Sequence, residues 1–271
     1  KPEVYNKIAA GEVIERPASV VKELVENSLD AGSSHIRVLI KNGGRSEITV
    51  SDNGSGIEKS DIKTAFLKHS TSKIKEIGDL EHIISLGFRG EALASIASVS
   101  NVELTTRTAD SQSGYSIRLQ AGKTVDERET GAPIGTTIKV KNLFSNIPAR
   151  LKFLKSIPTE IKYIKETLTN LILCYPQIHF ELFIDDKLSI NSTPRRDYFE
   201  RILELFGNDL KEEMLKIEAV TDKVSVSGFI SKPSANRSSR DYQRLFLNSR
   251  PITYKYFYGA IRDAYGSLVP Q

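Results

Sequence analysis

Three short stretches of this chain carry residue types suited to phosphate chemistry. The first is Glu23-Leu24-Val25-Glu26-Asn27-Ser28-Leu29-Asp30-Ala31. Glu23, Asn27 and Asp30 are spaced i, i+4, i+7, so a helix places them on one stripe, with Glu26 beside it. The amide oxygen of Asn27 suits Mg2+, a hard cation that prefers oxygen ligands and keeps several waters. Glu23, one turn earlier, can orient and deprotonate a water that attacks a phosphate. The alternative for such a stripe is a solvated helix face. The second stretch is Asp52-Asn53-Gly54-Ser55-Gly56. Asp52 can accept a hydrogen bond from the exocyclic amine of a base, and the glycines let backbone approach the ring; the alternative is an ordinary turn. The third is Gly87-Phe88-Arg89-Gly90-Glu91-Ala92-Leu93, a glycine-rich turn into a helix, which aims amides and the positive helix end at phosphate oxygens. Thr71-Ser72-Lys73 adds two hydroxyls and one ammonium, with a solvated Lys73 as the alternative. Gly135-Thr136-Thr137 opens a strand and carries no signal by itself. The order suggests a nucleotide site built without a Walker-type lysine loop.

The elements that must position these residues can be read from periodicity. Pro17 to Asp30 predicts an amphipathic helix with proline in its first turn, and Val20, Val21, Leu24, Val25 and Leu29 share a broad apolar face. Ile36 to Ile40 and Glu47 to Val50 predict strands joined by a hairpin turn at Asn42-Gly43-Gly44. Ile57 to His69 and Glu91 to Val99 read as helices, with a long connection from Thr71 to Gly90. Val102 to Arg107, Tyr115 to Leu119 and Thr136 to Val140 read as strands, and Ile157 to Leu173 as a strong helix. Ile178 to Ile184 and Leu188 to Asn191 predict a closing hairpin around Asp185-Asp186. The sum is a mixed α/β layer with a largely antiparallel sheet. Asn191 to Arg196 reads as a linker. After it come a helix (Tyr198 to Phe206), strands (Leu215 to Val220, Val224 to Ile230, Arg244 to Leu247) and a helix near Tyr254 to Tyr265. Residues 1–194 and 195–271 are therefore expected to form two domains, the second short and cut off.

Bulk properties set the outer limits. A hydrophobic fraction of 39% and a charged fraction of 27% over 271 residues fit globular domains with real cores. No apolar run reaches membrane-spanning length, and no N-terminal segment reads as a signal peptide. A first residue of Lys1 rather than Met predicts a piece of a longer protein. The single Cys174 lies in an apolar run and reads as a small buried hydrophobe; it excludes an intrachain disulfide and suits a reducing compartment. Four scattered histidines and one cysteine argue against a zinc site. The net charge of +4 permits nucleic-acid binding without demanding it.

Taken in order, these pieces resemble the ATPase superfamily of gyrase, Hsp90, histidine kinases and MutL, and within it the MutL family of DNA mismatch repair. Ile8 to Pro17 together with Lys22 to Gly32 is similar to the MutL N-terminal signature, and Gly87 to Ile96 to that family's most recognisable motif. Asn142 to Arg150 is similar to a further family segment. The resemblance implies an α+β fold: a two-layer α/β sandwich of that ATPase type, followed by a smaller α/β domain of the ribosomal protein S5 domain 2-like type. It implies ATP and Mg2+ as cofactors. Glu23 matches the catalytic base and Asn27 the magnesium ligand, with Ala31 beside it at the nucleotide. Asp52 matches the adenine-reading aspartate, supported by Gly56 and Thr136. Thr71, Ser72 and Lys73, with Gly87, Phe88, Arg89, Gly90, Glu91, Ala92 and Leu93, match the lid and its phosphate-binding turn. In the family the lid orders around ATP and two ATPase domains then associate.

The resemblance further implies DNA as a largely sequence-independent partner. Phe246-Leu247-Asn248-Ser249-Arg250 is similar to a second-domain motif whose arginine binds DNA, although Ser249 stands where the family usually has glycine. Other basic residues fall at Arg150, Lys152, Lys155, Lys162 and Lys165, where a solvated helix face is the alternative, and at Arg195, Arg196, Arg237, Arg240 and Arg244. The family also carries a second-domain lysine that reaches the γ-phosphate; its motif lies beyond Gln271, so hydrolysis by these residues alone is expected to be impaired. Expected partners are a second copy of the chain, the mismatch-recognition protein MutS, and a downstream nuclease or helicase, without a membrane. The bacterial branch implies the cytoplasm, a eukaryotic paralogue the nucleus. The rival reading is a nucleotide-gated DNA-binding scaffold with little or no hydrolysis. A histidine kinase is disfavoured, since His69 and His82 lie in or near the lid rather than on a dimerisation helix.

Overall fold

Alternation along the strands explains the architecture. The structure, a computed structural model, describes residues 14–67, 91–237 and 239–269. Its larger sheet is built from β1 (His35–Lys41), β2 (Glu47–Asp52), β3 (Asn101–Arg107), β4 (Gly114–Gln120), β5 (Lys123–Thr130), β6 (Gly135–Lys141), β7 (His179–Ile184) and β8 (Lys187–Ser192), in the spatial order β5-β4-β3-β6-β2-β1-β7-β8. Every neighbouring pair is antiparallel except β1 and β7, which run parallel. Register aligns Ile117, Leu104, Ile138, Val50, Val38 and Leu182 in one row across six strands, all buried. Two residues further along, the inward row turns polar: Thr106, Thr136 and Asp52 stand side by side before Ile36 and Phe180 restore the apolar face. The core therefore has a hydrophilic end.

Helices cover that inward face. α1 (Pro17–Asp30) lies against β1 and β2 and buries Val20, Val21, Leu24 and Val25. Each such side chain contributes roughly 1.5–3 kcal/mol when fully buried, and this packing rather than propensity holds a helix of 14 residues. α2 (Lys59–Ile62) is a single turn, followed by a 3-10 turn at Thr64–Phe66. The helix expected from Ile57 to His69 is thus much shorter within the described residues, because only Ile62 of that segment is buried and no apolar stripe anchors further turns. α3 (Ala92–Ser98) packs on β3 and β4 through Ala94, Ile96 and Ala97. α4 (Pro148–Phe153) precedes α5 (Ile157–Cys174), which buries Ile164 and Leu168.

The turns follow from left-handed backbone. Asn42, Gly43 and Gly44 all have positive φ and close the β1–β2 hairpin, with Gly44 so near Pro17 that a Cβ would lie 2.6 Å from the proline side chain. Asp185 (φ 46°) and Asp186 (φ 63°) turn β7 into β8, a primed turn that short polar residues tolerate. The linker expected from Asn191 starts later: Asn191 and Ser192 still pair within β8.

The chain divides into two compact units, one taking in residues up to Leu168 with Ile178–Thr193, the other Thr169–Gln177 with the residues from Pro194 onward. The second unit holds α6 (Tyr198–Phe206), an antiparallel pair of β9 (Met214–Val220) and β10 (Ser225–Ser231), a second pair of β11 (Leu245–Leu247) and β12 (Arg250–Ile252), and α7 (Lys255–Tyr265). Arg201 is fully buried there, donating to the Pro176 carbonyl and to Glu204. Cys174 is a buried free thiol, pushed up to about 12 by burial. Among the described residues no helix is long and apolar enough to cross a membrane.

Candidate functional site

The polar end of the inward face is organised around Asp52, the last residue of β2. Its Oδ1 accepts from the backbone N–H of Gly54 (2.9 Å) and of Thr136 (3.3 Å), and its Oδ2 accepts from the Ser28 hydroxyl at 2.8 Å. A carboxylate has about four lone-pair positions, so three donors fix its orientation and leave acceptor capacity on Oδ2. Beside it, the Thr106 hydroxyl accepts from the Ile57 N–H (2.9 Å), donates to the Gly135 carbonyl (3.0 Å) and lies 3.0 Å from the Thr136 hydroxyl. Thr106 has one hydrogen, which Gly135 takes, so the Thr136 hydroxyl donates to Thr106 and keeps its own lone pairs for another partner.

The loop after Asp52 is held from both sides. The Ser55 N–H donates to the Ala31 carbonyl at 3.0 Å, joining the end of α1 to the loop. Asn53 Oδ1 accepts from the N–H groups of Ser34 and His35, each at 2.9 Å. Gly56 has φ +77°, and a Cβ there would lie 2.3 Å from the Arg107 carbonyl. Gly54 is also close to Ala31, whose carbonyl oxygen would be 2.8 Å from a Cβ. These glycines are thus required by the chain's own backbone contacts, which adds a constraint to the close approach expected from sequence.

One helical turn back along α1, the acidic stripe splits by environment. Glu26 is buried and pairs with the Lys22 ammonium at 2.9 Å, while Glu23 is half-buried and 3.5 Å from the same nitrogen. Burial works against a charged Lys22, but the hydrogen bond and charge of Glu26, with the charge of Glu23, outweigh it and raise the ammonium above its ordinary value. Asn27 is half-buried, and its side-chain amide takes no hydrogen bond among the described residues. Asp30 is exposed.

The remaining expected residues are distributed as follows. Glu91 is the N-cap of α3, Ala92 and Leu93 open its first turn, and all three are half-buried. Thr71, Ser72, Lys73, Gly87, Phe88, Arg89 and Gly90 lie outside the described residues, as do His69 and His82. Arg250 begins β12, half-buried and paired in register with Leu247. Ser249 has φ +62° and Asn248 φ +49°, so the turn before Arg250 adopts the left-handed form in which glycine is the usual residue. Several basic residues are spoken for: Arg150 donates to the Ile14 carbonyl at 2.8 Å, Arg195 pairs with Glu204, and Arg244 donates to Asn170. Lys152, Lys155, Lys162 and Lys165 are exposed.

Sequence reasoning missed Ser28, Thr106, Gly135 and Lys22. Ser28 had a legible signal, since it falls on the apolar stripe with Val21, Leu24 and Val25, where a lone hydroxyl demands a partner. The assembly as a whole offers a carboxylate acceptor at a buried sheet end, a free amide oxygen, and a half-buried carboxylate one turn away.

Comparisons with known proteins bear on what this assembly serves. Residues 14–147 match the family described as histidine kinase-, DNA gyrase B-, and HSP90-like ATPase, and residues 202–271 match the DNA mismatch repair protein, C-terminal domain. The DNA mismatch repair protein MutL of Agathobacter rectalis is 44% identical over 269 residues, covering 99% of this chain and 42% of the relative. Its counterpart in Desulforamulus reducens is 45% identical over 265 residues, covering 98% of this chain and 41% of that protein. The chain thus spans about two fifths of the length of the curated relatives it matches. Among solved structures, the Aquifex aeolicus MutL ATPase domain complexed with ADP is similar at a TM-score of 0.73 and 31% identity, over 93% of this chain and 88% of that one. A crystal structure described as the N terminal domain of a DNA repair protein gives a TM-score of 0.83 at 26% identity, over 97% and 82%.

Proposed function

The chain belongs to the MutL family of DNA mismatch repair proteins, and on that premise we propose that it binds ATP with Mg2+ at the polar end of the sheet and hydrolyses it slowly to drive a conformational cycle in repair. The observation that carries this reading is Asp52, fixed by Ser28, Gly54 and Thr136 with acceptor capacity left over. A base with an exocyclic amine supplies the missing donor. Thr136 and Gly56 form the neighbouring wall, and Ala31 ties α1 to it. The free Asn27 amide fits a magnesium ligand: a neutral oxygen donor on a stripe with carboxylates, leaving positions for water and phosphate oxygens. Bound Mg2+ supplies charge neutralisation at the phosphates. Glu23, one turn away, holds and deprotonates the attacking water.

Residues 1–194 form the ATP-binding domain in this proposal and 195–271 the second, DNA-contacting domain. Thr71, Ser72, Lys73 and Gly87 to Leu93 supply the lid and phosphate turn. Lid ordering around the γ-phosphate favours association of two copies, coupling mismatch recognition by MutS to a downstream nuclease or helicase. The named relatives are bacterial, and the cytoplasm is the compartment proposed for this cycle.

The test is a titration of ATP with and without Mg2+. Wild type is expected to bind more tightly with Mg2+, whereas Asn27→Ala loses the Mg2+-dependent gain, about 10-fold or more, and excess Mg2+ does not restore it. An unchanged Mg2+ dependence in Asn27→Ala would remove the metal role. For the DNA surface, log affinity is expected to fall linearly with log salt, and replacing one phosphate-contacting cation, Arg250 or one of the exposed lysines, lowers the slope by about 1. A flat salt response would contradict it.

A further inference from the structure

The outward face of the sheet carries a second cluster, at the same strand end as the polar row and on the side opposite its inward-facing side chains. Parallel pairing of β1 with β7 sets His35 directly opposite His179, and Arg37 opposite Glu181. Their neighbours Ile36, Val38, Phe180 and Leu182 point into the core, so these four point outward. The two imidazoles stack with centroids 4.4 Å apart and planes 12° from parallel. His35 Nε2 lies 2.8 Å from Glu181 Oε2, and His179 Nε2 lies 2.8 Å from Asn191 Oδ1. One ligand atom from each of His35, His179 and Glu181 falls within 4.8 Å of the others. Two of the chain's four histidines, separated by 144 positions (179 − 35), are thus brought together with a carboxylate by the only parallel seam among the described strands of this sheet.

We propose that His35, His179 and Glu181 form a site for a divalent transition metal of the zinc class. Two imidazoles and one carboxylate with an open fourth position is an established ligand set for such ions. The tautomer of His179 is already set for it: Asn191 Oδ1 is an acceptor, so His179 Nε2 carries the hydrogen and Nδ1 keeps a lone pair. Between His35 and Glu181 the ion takes the place of the shared proton. Tetrahedral ligands at about 2.0–2.1 Å from an ion stand roughly 3.3 Å apart, and an imidazole binds in its own plane, so the stacked rings must turn out of parallel for both to reach one ion. Glu181 supplies the negative charge: burial works against its ionised form, yet hydrogen bonds from Arg37 and His35 outweigh this and hold its carboxyl below the ordinary value. Arg37 is the competitor, since its Nε donates to the same Oε2 at 2.8 Å. Its guanidinium already lies 5.6 Å above the Phe183 ring, where it can rest when an ion holds the carboxylate. Metal binding here would clamp the β7–β8 hairpin to the rest of the sheet across a parallel pairing that is intrinsically the weaker kind. The inference is independent of the nucleotide reading.

The experiment uses the 271-residue chain, stripped with chelator, and two probes: Zn2+ read by thermal stability, and Co2+ read by the visible absorption of a tetrahedral complex. Wild type is expected to gain stability with Zn2+ at one equivalent and to show the Co2+ bands. Asn191→Ala should weaken affinity about 10-fold or more by freeing the His179 ring. His35→Ala and His179→Gln should lose the Co2+ bands, while Arg37→Ala should bind more tightly than wild type. The paired control His69→Ala with His82→Ala should leave binding unchanged. No Co2+ bands in a folded wild type, or bands that survive loss of either His35 or His179, would overturn the site. Weaker rather than tighter binding in Arg37→Ala would count against it equally.

Discussion

Asp52→Asn is expected to lower ATP affinity by about 100-fold or more while the chain stays folded. The asymmetry of the carboxylate's partners explains why one atom matters so much. Oδ1 accepts two backbone N–H groups, from Gly54 and Thr136, so an asparagine must keep its oxygen there. Its NH2 then occupies the Oδ2 position and faces donors: the Ser28 hydroxyl and the amine of the base. Ser28 has a fallback, because its hydroxyl also lies 3.2 Å from the Leu24 carbonyl. The base has none. Losing one hydrogen bond to a charged acceptor costs about 1.5–3 kcal/mol, and setting donor against donor adds to it, which corresponds to about two decades in affinity. Competition titration with labelled ATP reads this directly; a variant within about threefold of wild type would dismiss Asp52 as the base reader.

Glu23→Ala is expected to leave ATP binding nearly intact and to cut single-turnover hydrolysis by about 10²-fold or more. Glu23 is half-buried and shares Lys22 with Glu26, so its removal leaves the closer Lys22–Glu26 pair standing. The change therefore takes a proton acceptor away without disturbing the helix packing against β1 and β2. Equal hydrolysis in both proteins would sink Glu23 as the base, and a parallel loss of binding would assign it to nucleotide holding instead.

Much of this was legible because periodicity and burial agree. α1 falls where the Val20-Val21-Leu24-Val25 stripe and Pro17 place it, and the β7–β8 turn falls at Asp185-Asp186. The mixed α/β ATPase-type fold with a smaller second domain agrees with the expected fold class. β5 was not legible: Lys123–Thr130 is an exposed edge strand of charged residues without alternation, with β4 its one neighbouring strand among the described residues and its Glu127 and Glu129 paired to Lys63 and Lys59. β12 is three residues long and contains Pro251, which reads against a strand. At the site, Asp52 was found from its position before glycines, but Thr106 and Ser28 were not. Three inward series end in polar residues, Val102-Leu104-Thr106, Ile48-Val50-Asp52 and, read backward, Val140-Ile138-Thr136. Each taken alone looks like a strand reaching solvent. Only register shows them adjacent. The same limitation hid the histidine pair, since the sequence separates what a parallel seam joins.

The location of the nucleotide at this polar sheet end is open to amide hydrogen exchange, measured with and without a saturating non-hydrolysable ATP analogue and Mg2+. Binding should slow exchange in peptides spanning Asn27 to Ser33, Asn53 to Ile57 and Gly135 to Thr137, whose backbone surrounds Asp52. Saturation of the chain with exchange unchanged in all three segments would contradict it.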